Sequence, residues 1–178
     1  MVNPLERIEY NGEVYRRTNA KWVDSRNITV HESLQRTLNR LYLETVDYSS
    51  YSVEELVKEG DRLKESSSYQ SAIAFYEKAT LECDEKTLNY ILPRITSCYR
   101  KCNMPRKVIE LFSLTRSKYG TGFITPVLLT SVAAAYCDLK EYENALRCCK
   151  WAYRNFGGEF SSSLSNVWAR IKKESGLE

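Results

Sequence analysis

A single histidine, His31, serves all 178 residues. That scarcity removes most of the usual apparatus of acid–base catalysis and imidazole metal ligation, both of which draw first on histidine. No glycine-rich phosphate loop and no Ser-His-Asp arrangement occurs. The carboxylates do not converge, and pairs such as Glu54-Glu55 and Asp84-Glu85 read as solvated helix ends. No apolar run approaches the roughly 20 residues that a membrane-spanning helix requires. The opening "MVNPLERIEYNGE" has no apolar leader core, so the expected compartment is the cytoplasm. The net charge of +3 is too small to announce nucleic-acid binding by itself. The expectation is a chain without catalysis, cofactor or metal.

Against these absences stands an ordinary globular composition, 43% hydrophobic and 28% charged, enough to build a core. Six cysteines are present, at 83, 98, 102, 137, 148 and 149. Without an export signal they are expected to stay reduced. Cys98 and Cys102, four apart, would fit a shared metal with Cys148 or Cys149 as further ligands. No CxxC pair accompanies them, which favours the plainer reading of small buried apolar residues. His31 reads as a surface residue in the first turn of a helix.

The informative pattern begins in "VKEGDRLKESSSYQSAIAFYEKATLEC". Ala72, Tyr76 and Ala79 are spaced by four and three, which places them on one helical face. Gly60 lies twelve before Ala72 and Leu63 nine before it, in a second helical run. The polar cluster "ESSSY" separates the two runs as a turn. The result is a helix–turn–helix hairpin in which Gly60 and Ala72 let two backbones come close.

The same spacing returns in "LLTSVAAAYCDLKEYENALRCCKWAYRN", with Ala133, Tyr136, Tyr142, Ala145, Cys149 and Ala152 in the corresponding places. A middle copy, "LPRITSCYRKCNMPRKVIELFSLTRSKYG", supplies Tyr99, Val108, Phe112 and Thr115. Its Pro93 predicts that the first helix begins after that residue or kinks there. The anchors Ala72, Val108 and Ala145 are 36 and 37 residues apart, a repeat period. The plain alternative is a generic helical bundle.

On Gly60, Ala72, Tyr76 and Ala79, on Tyr99 and Phe112, and on Tyr136, Ala145 and Ala152, the units 53–86, 89–122 and 126–159 resemble tetratricopeptide repeats. No unit carries the family's early Trp, and the proline that usually closes the second helix is missing. The resemblance implies a mainly α fold, a right-handed α-solenoid of helix–turn–helix hairpins over 53–159. It also implies a concave face lined by the first helix of each unit. From the first unit, register places Glu54, Val57, Asp61 and Lys64 there. The second contributes Tyr90, Arg94, Ser97, Arg100 and Lys101, and the third Val127, Thr130, Ala134, Cys137 and Asp138. Some family members grip a partner's terminal carboxylate on this face. Here the matching positions hold Val57, Asp61, Arg94, Val127 and Ser131, and only Arg94 is basic, so that mode is not expected.

Residues 161–178 predict a capping helix, with Leu164, Val167, Trp168 and Ile171 on one face and Arg170, Lys172, Lys173 and Glu174 on the other. Residues 1–50 lie outside the repeat. Asn11-Gly12 between Ile8/Tyr10 and Val14/Tyr15/Arg16 is a hairpin signal. A second turn at Thr18-Asn19-Ala20 leads to Lys21-Trp22-Val23, giving a three-strand meander. A helix follows, with Thr29 and Glu32 as its capping box and Val30, Leu34, Leu38, Leu41 and Tyr42 as its apolar stripe. Arg16, Arg17, Lys21 and Trp22 suggest a basic–aromatic surface, but residues 1–50 hold seven basic and seven acidic groups.

Residues 94–118 carry seven basic groups against Glu110 alone, a docking patch for an acidic segment or a solvated surface. The functional expectation is a non-catalytic adaptor or scaffold that binds a protein or peptide in the concave groove. A regulatory subunit or sensor for a short peptide is the second reading, and nucleic-acid binding through the basic middle unit the third. Self-association through the N-terminal segment or an open edge is compatible with each.

Overall fold

The Asn-Gly pair turns as its chemistry requires. In a computed structural model that describes residues 7–18, 21–157 and 162–176, Asn11 has φ 51° and Gly12 φ 77°, the left-handed pair of a tight hairpin. They join β1 (Arg7–Tyr10) to β2 (Glu13–Thr18), and β2 pairs antiparallel with β3 (Lys21–Val23). The expected turn at Thr18-Asn19-Ala20 falls on Asn19 and Ala20, outside the described residues. Alternation puts Ile8, Tyr15, Arg17 and Trp22 in the buried set.

A 14-residue helix, α1 (Glu32–Thr45), covers that sheet. Leu38 and Tyr42 are its buried anchors, and Trp22 meets the Tyr42 ring edge-on at 5.9 Å. Two polar residues one turn apart on α1 fix β3. Gln35 exchanges hydrogen bonds with the Trp22 backbone N–H (2.8 Å) and carbonyl (2.7 Å), and Asn39 Oδ1 accepts from Trp22 Nε1 at 2.9 Å. The expected Thr29–Glu32 capping box does not form. Thr29 pairs with Val23 as a β-bridge, and His31 caps the helix instead, its Nδ1 accepting from the Ser33 N–H at 3.3 Å. Because α1 begins at Glu32, that residue stands first in the helix rather than third, and Thr29 lies too far ahead of it to cap.

The remaining helices come in three hairpins: α2 (Val53–Glu65) with α3 (Tyr69–Glu82), α4 (Glu85–Lys101) with α5 (Pro105–Tyr119), and α6 (Pro126–Asp138) with α7 (Tyr142–Asn155). Each closes through three residues with the middle one left-handed: Ser67 at φ 62°, Asn103 at 58° and Lys140 at 62°. In each, the residue after it donates its N–H back to the first helix at 2.8 Å: Ser68 to Leu63 O, Met104 to Tyr99 O, Glu141 to Tyr136 O. This is the hydrogen bond of a Schellman ending, which satisfies carbonyls that the helix terminus leaves open. Ala72, Val108 and Ala145 each stand fourth in their helix, and all three are fully buried.

The nesting partner of Gly60 is the Tyr76 ring. A Cβ on Gly60 would sit 2.7 Å from Tyr76 Cε1, and Tyr76 is itself fully buried with its hydroxyl donating to Asp61 Oδ1 at 2.6 Å. Thr96 and Ala133, each five residues before the end of their first helix as Gly60 is, are also fully buried. Pro93 does not delay the middle hairpin. Helix α4 starts eight residues ahead of it and runs through, capped by Asp84, whose carboxylate accepts from the Thr87 N–H at 2.7 Å.

The chain divides into two compact units, Met1–Cys83 and Asp84–Glu178. The first holds the sheet, α1 and the first hairpin. There α1 packs on both the sheet and α3, and Tyr48 and Tyr51 set their ring edges against Phe75 at 5.2 and 6.0 Å. The second holds two hairpins and α8 (Ser162–Ser175). Helix α6 touches α4, α5, α7 and α8, and is buried along most of its length. Leu164, Val167 and Ile171 turn the apolar face of α8 inward. After α5 the chain folds back under itself through Phe123 and Ile124, both buried. Among the described residues no helix is long and apolar enough to cross a membrane.

Candidate functional site

In the first unit, Val57, Asp61 and Lys64 lie along one stripe of α2, at spacings of four and three, and all are half-buried; Glu54, a turn earlier, is exposed. Asp61 is engaged within the hairpin through the Tyr76 hydroxyl. What this stripe presents to solvent is narrow.

The second unit offers more. Its first helices, α4 and α6, lie side by side. Near their N-terminal ends Tyr90 is 42% exposed and Val127 60% exposed, large side chains that a folded core would normally cover. The Arg94 guanidinium stacks over the Tyr90 ring at 3.4 Å and donates to the Tyr90 carbonyl at 2.9 Å. Stacking and hydrogen bond together hold the ring and the cation as one amphipathic platform. Ser97 and Thr130 are half-buried, Thr130 returning its hydroxyl to the Pro126 carbonyl at 2.8 Å. Ala134 and Cys137 are buried, because α6 has neighbours on several sides.

At the C-terminal ends of the same helices the charges are already used. Asp138 receives Arg100 Nε at 2.9 Å and Arg170 Nη1 at 2.5 Å; Arg170 also reaches Glu174 at 2.9 Å, and the Tyr142 hydroxyl donates to Glu174 at 3.1 Å. Five side chains thus join α4, α6, α7 and α8. Partial burial pushes the Asp138 carboxyl up, but the hydrogen bonds from Arg100 and Arg170 outweigh it and hold the group below the usual carboxylate range. Arg100 and Asp138, both expected as partner contacts, are therefore fastened to each other, while Lys101 next to them is exposed.

Elsewhere the structure separates what the sequence put together. Arg16 and Lys21 are exposed, whereas Arg17 is 3% exposed and Trp22 fully buried, so the four do not make one surface. The Arg17 guanidinium lies 4.4 Å from the Tyr42 ring centroid and 5.8 Å from that of Trp22, and no hydrogen bond satisfies its three nitrogens. Burial lowers its pKa, and the Tyr42 hydroxyl and the Glu59 carboxylate act against that loss. Glu59 itself is held in two bonds by Arg62, at 2.7 and 2.6 Å.

None of the six cysteines is in a disulfide. Burial pushes Cys148 up to about 11 and Cys149 up to about 12, the direction of inert packing thiols. Among the described residues no group of three or more His, Cys, Asp or Glu side chains is arranged to hold a metal ion. The platform at Tyr90 and the Asp138 network had only weak signals in the sequence. Arg100, Asp138 and Arg170 are each ordinary surface types, and 32 residues separate the last two.

Compared with known proteins, the chain matches no family model, no curated protein and no solved structure.

Proposed function

We propose that this chain is a non-catalytic adaptor that binds a protein or peptide on the first-helix face of a tetratricopeptide-like repeat array, a right-handed solenoid whose concave side is the groove. One observation carries the reading. Tyr90 with its stacked Arg94 is exposed on α4 and Val127 is exposed on the adjacent α6, while Arg100 and Asp138 further along these helices are paired with each other. An aromatic anchor backed by an arginine is the composition that dominates binding energy at protein interfaces. Six cysteines outside any disulfide fit a reducing compartment, and cytoplasmic placement belongs to the same proposal.

The test is selection of peptides from a random displayed library on the full chain, followed by affinity measurement on variants. Tyr90→Ala and Val127→Glu should each weaken the selected peptides by about tenfold or more. Peptides that bind both variants as tightly as the parent, or a library that yields none, would contradict the proposal.

A further inference from the structure

The positive charge of this protein is not evenly shared. Unit Met1–Cys83 has 11 Lys and Arg against 14 Asp and Glu, whereas unit Asp84–Glu178 has 15 against nine, a surplus of six. Within the second unit, three cations near the first helices are engaged: Arg100 and Arg170 are bound to Asp138, and Arg94 lies on Tyr90. The surplus stands on the second helices. Arg147, Lys150 and Arg154 are exposed along α7 at spacings of three and four, so they share one face. None of the three has a carboxylate partner among the described residues. Glu143, one turn before Arg147, is the acidic group on the α7 stripe, and Glu110 of α5 is taken by Lys107 at 3.4 Å.

We propose that the exposed face of α7 in the second unit, centred on Arg147, Lys150 and Arg154, docks an Asp- or Glu-rich segment of a partner protein. The stripe on α7 covers about 10 Å. An extended segment repeats its same-side carboxylates about every 7 Å, so two or three acids meet three cations without strain. Two of the three cations are arginines, whose planar fork pairs carboxylates in a bidentate manner. The scale of the charge selects the partner. Beyond about 8 Å, salt screens the field, so a short acidic segment feels the patch alone. A long nucleic acid extends past the patch to a molecule whose total charge is only +3 and whose first unit is acidic. This surface is separate from the Tyr90 platform, and neither requires the other.

The experiment uses the full chain and a fluorescein-labelled (Asp-Glu)6 peptide, with a dT12 oligonucleotide as the rival ligand, both followed by anisotropy. The peptide should bind, lose affinity between 50 and 200 mM salt, and bind about tenfold more weakly to Arg147→Glu/Arg154→Glu. Lys172→Glu/Lys173→Glu, an equal charge change on α8, should alter it by less than about twofold. Circular dichroism checks each variant, and Arg147→Gln/Arg154→Gln replaces the reversal if that one unfolds. No peptide binding, equal losses in the two double variants, tighter binding of dT12 than of the peptide, or a patch that sedimentation shows to be covered by a second copy of the chain would each overturn the proposal.

Discussion

Gly60 shows how much one missing methyl decides. In an exposed helix, Gly→Ala gains about 1 kcal/mol. Here the added Cβ would stand 2.7 Å from a buried ring that a 2.6 Å hydrogen bond to Asp61 holds in place. Overpacking of this kind costs about 1–3 kcal/mol, so Gly60→Ala should lower stability despite the better helix propensity. Chemical denaturation of the two proteins decides it, and an unchanged or raised midpoint would show that Tyr76 can move aside. The sequence marked Gly60, Ala72 and Tyr76 as one contact set; spacing along two helices says which faces meet, and only the structure shows that the Tyr76 ring is what a Cβ on Gly60 would strike. Arg17 was illegible for a related reason. Strand alternation points it inward, yet a charged side chain is read as solvent-facing unless the cover is known, and that cover is Tyr42 on α1.

At the scale of elements, the shared feature of the three hairpins is a turn rather than a motif. Ser67, Asn103 and Lys140 are unlike one another, and only Asn favours the left-handed region. The polar cluster after α2 announced a turn, while the left-handed centre had no signature because none of the three is glycine. Substituting glycine at Lys140 removes the Cβ strain, which outweighs the entropy that glycine loses on folding. Lys140→Gly should therefore stabilise by about 0.5–1 kcal/mol, measured by denaturation, and a loss of stability would mean that the left-handed turn is not formed. Pro93 misled the reading of the middle hairpin in the opposite sense. A proline removes one hydrogen bond, and packing of Leu88, Ile91, Leu92 and Ile95 carries α4 through it.

For the molecule as a whole, the Asp138 network sets the acid limit of the second unit. The Asp138 and Glu174 carboxyls are both held below their ordinary values, Glu174 chiefly by its hydrogen bond from Arg170. A depressed folded pKa contributes stability above the unfolded value near 4, and that stability disappears as pH falls through the folded value. The thermal midpoint should thus drop as the solution is acidified below about pH 4. Asp138→Asn should lower the midpoint at neutral pH and flatten the acid drop, and an equally steep drop in the variant would remove the network from the account. Mainly helical architecture, the N-terminal meander and the C-terminal helix were legible from periodicity and turn chemistry. The division after Cys83 was not, because the two-residue link at Cys83-Asp84 has no linker composition.

Three hairpins share one closure, a left-handed residue at the middle of each turn, and the proposed repeat array rests on that common form. The most direct measurement is residue-specific NMR at Ser67, Asn103 and Lys140, combining carbon secondary shifts with the HN–Hα coupling. All three residues are expected to report a left-handed backbone; a right-handed or extended value at any of them would contradict the common hairpin.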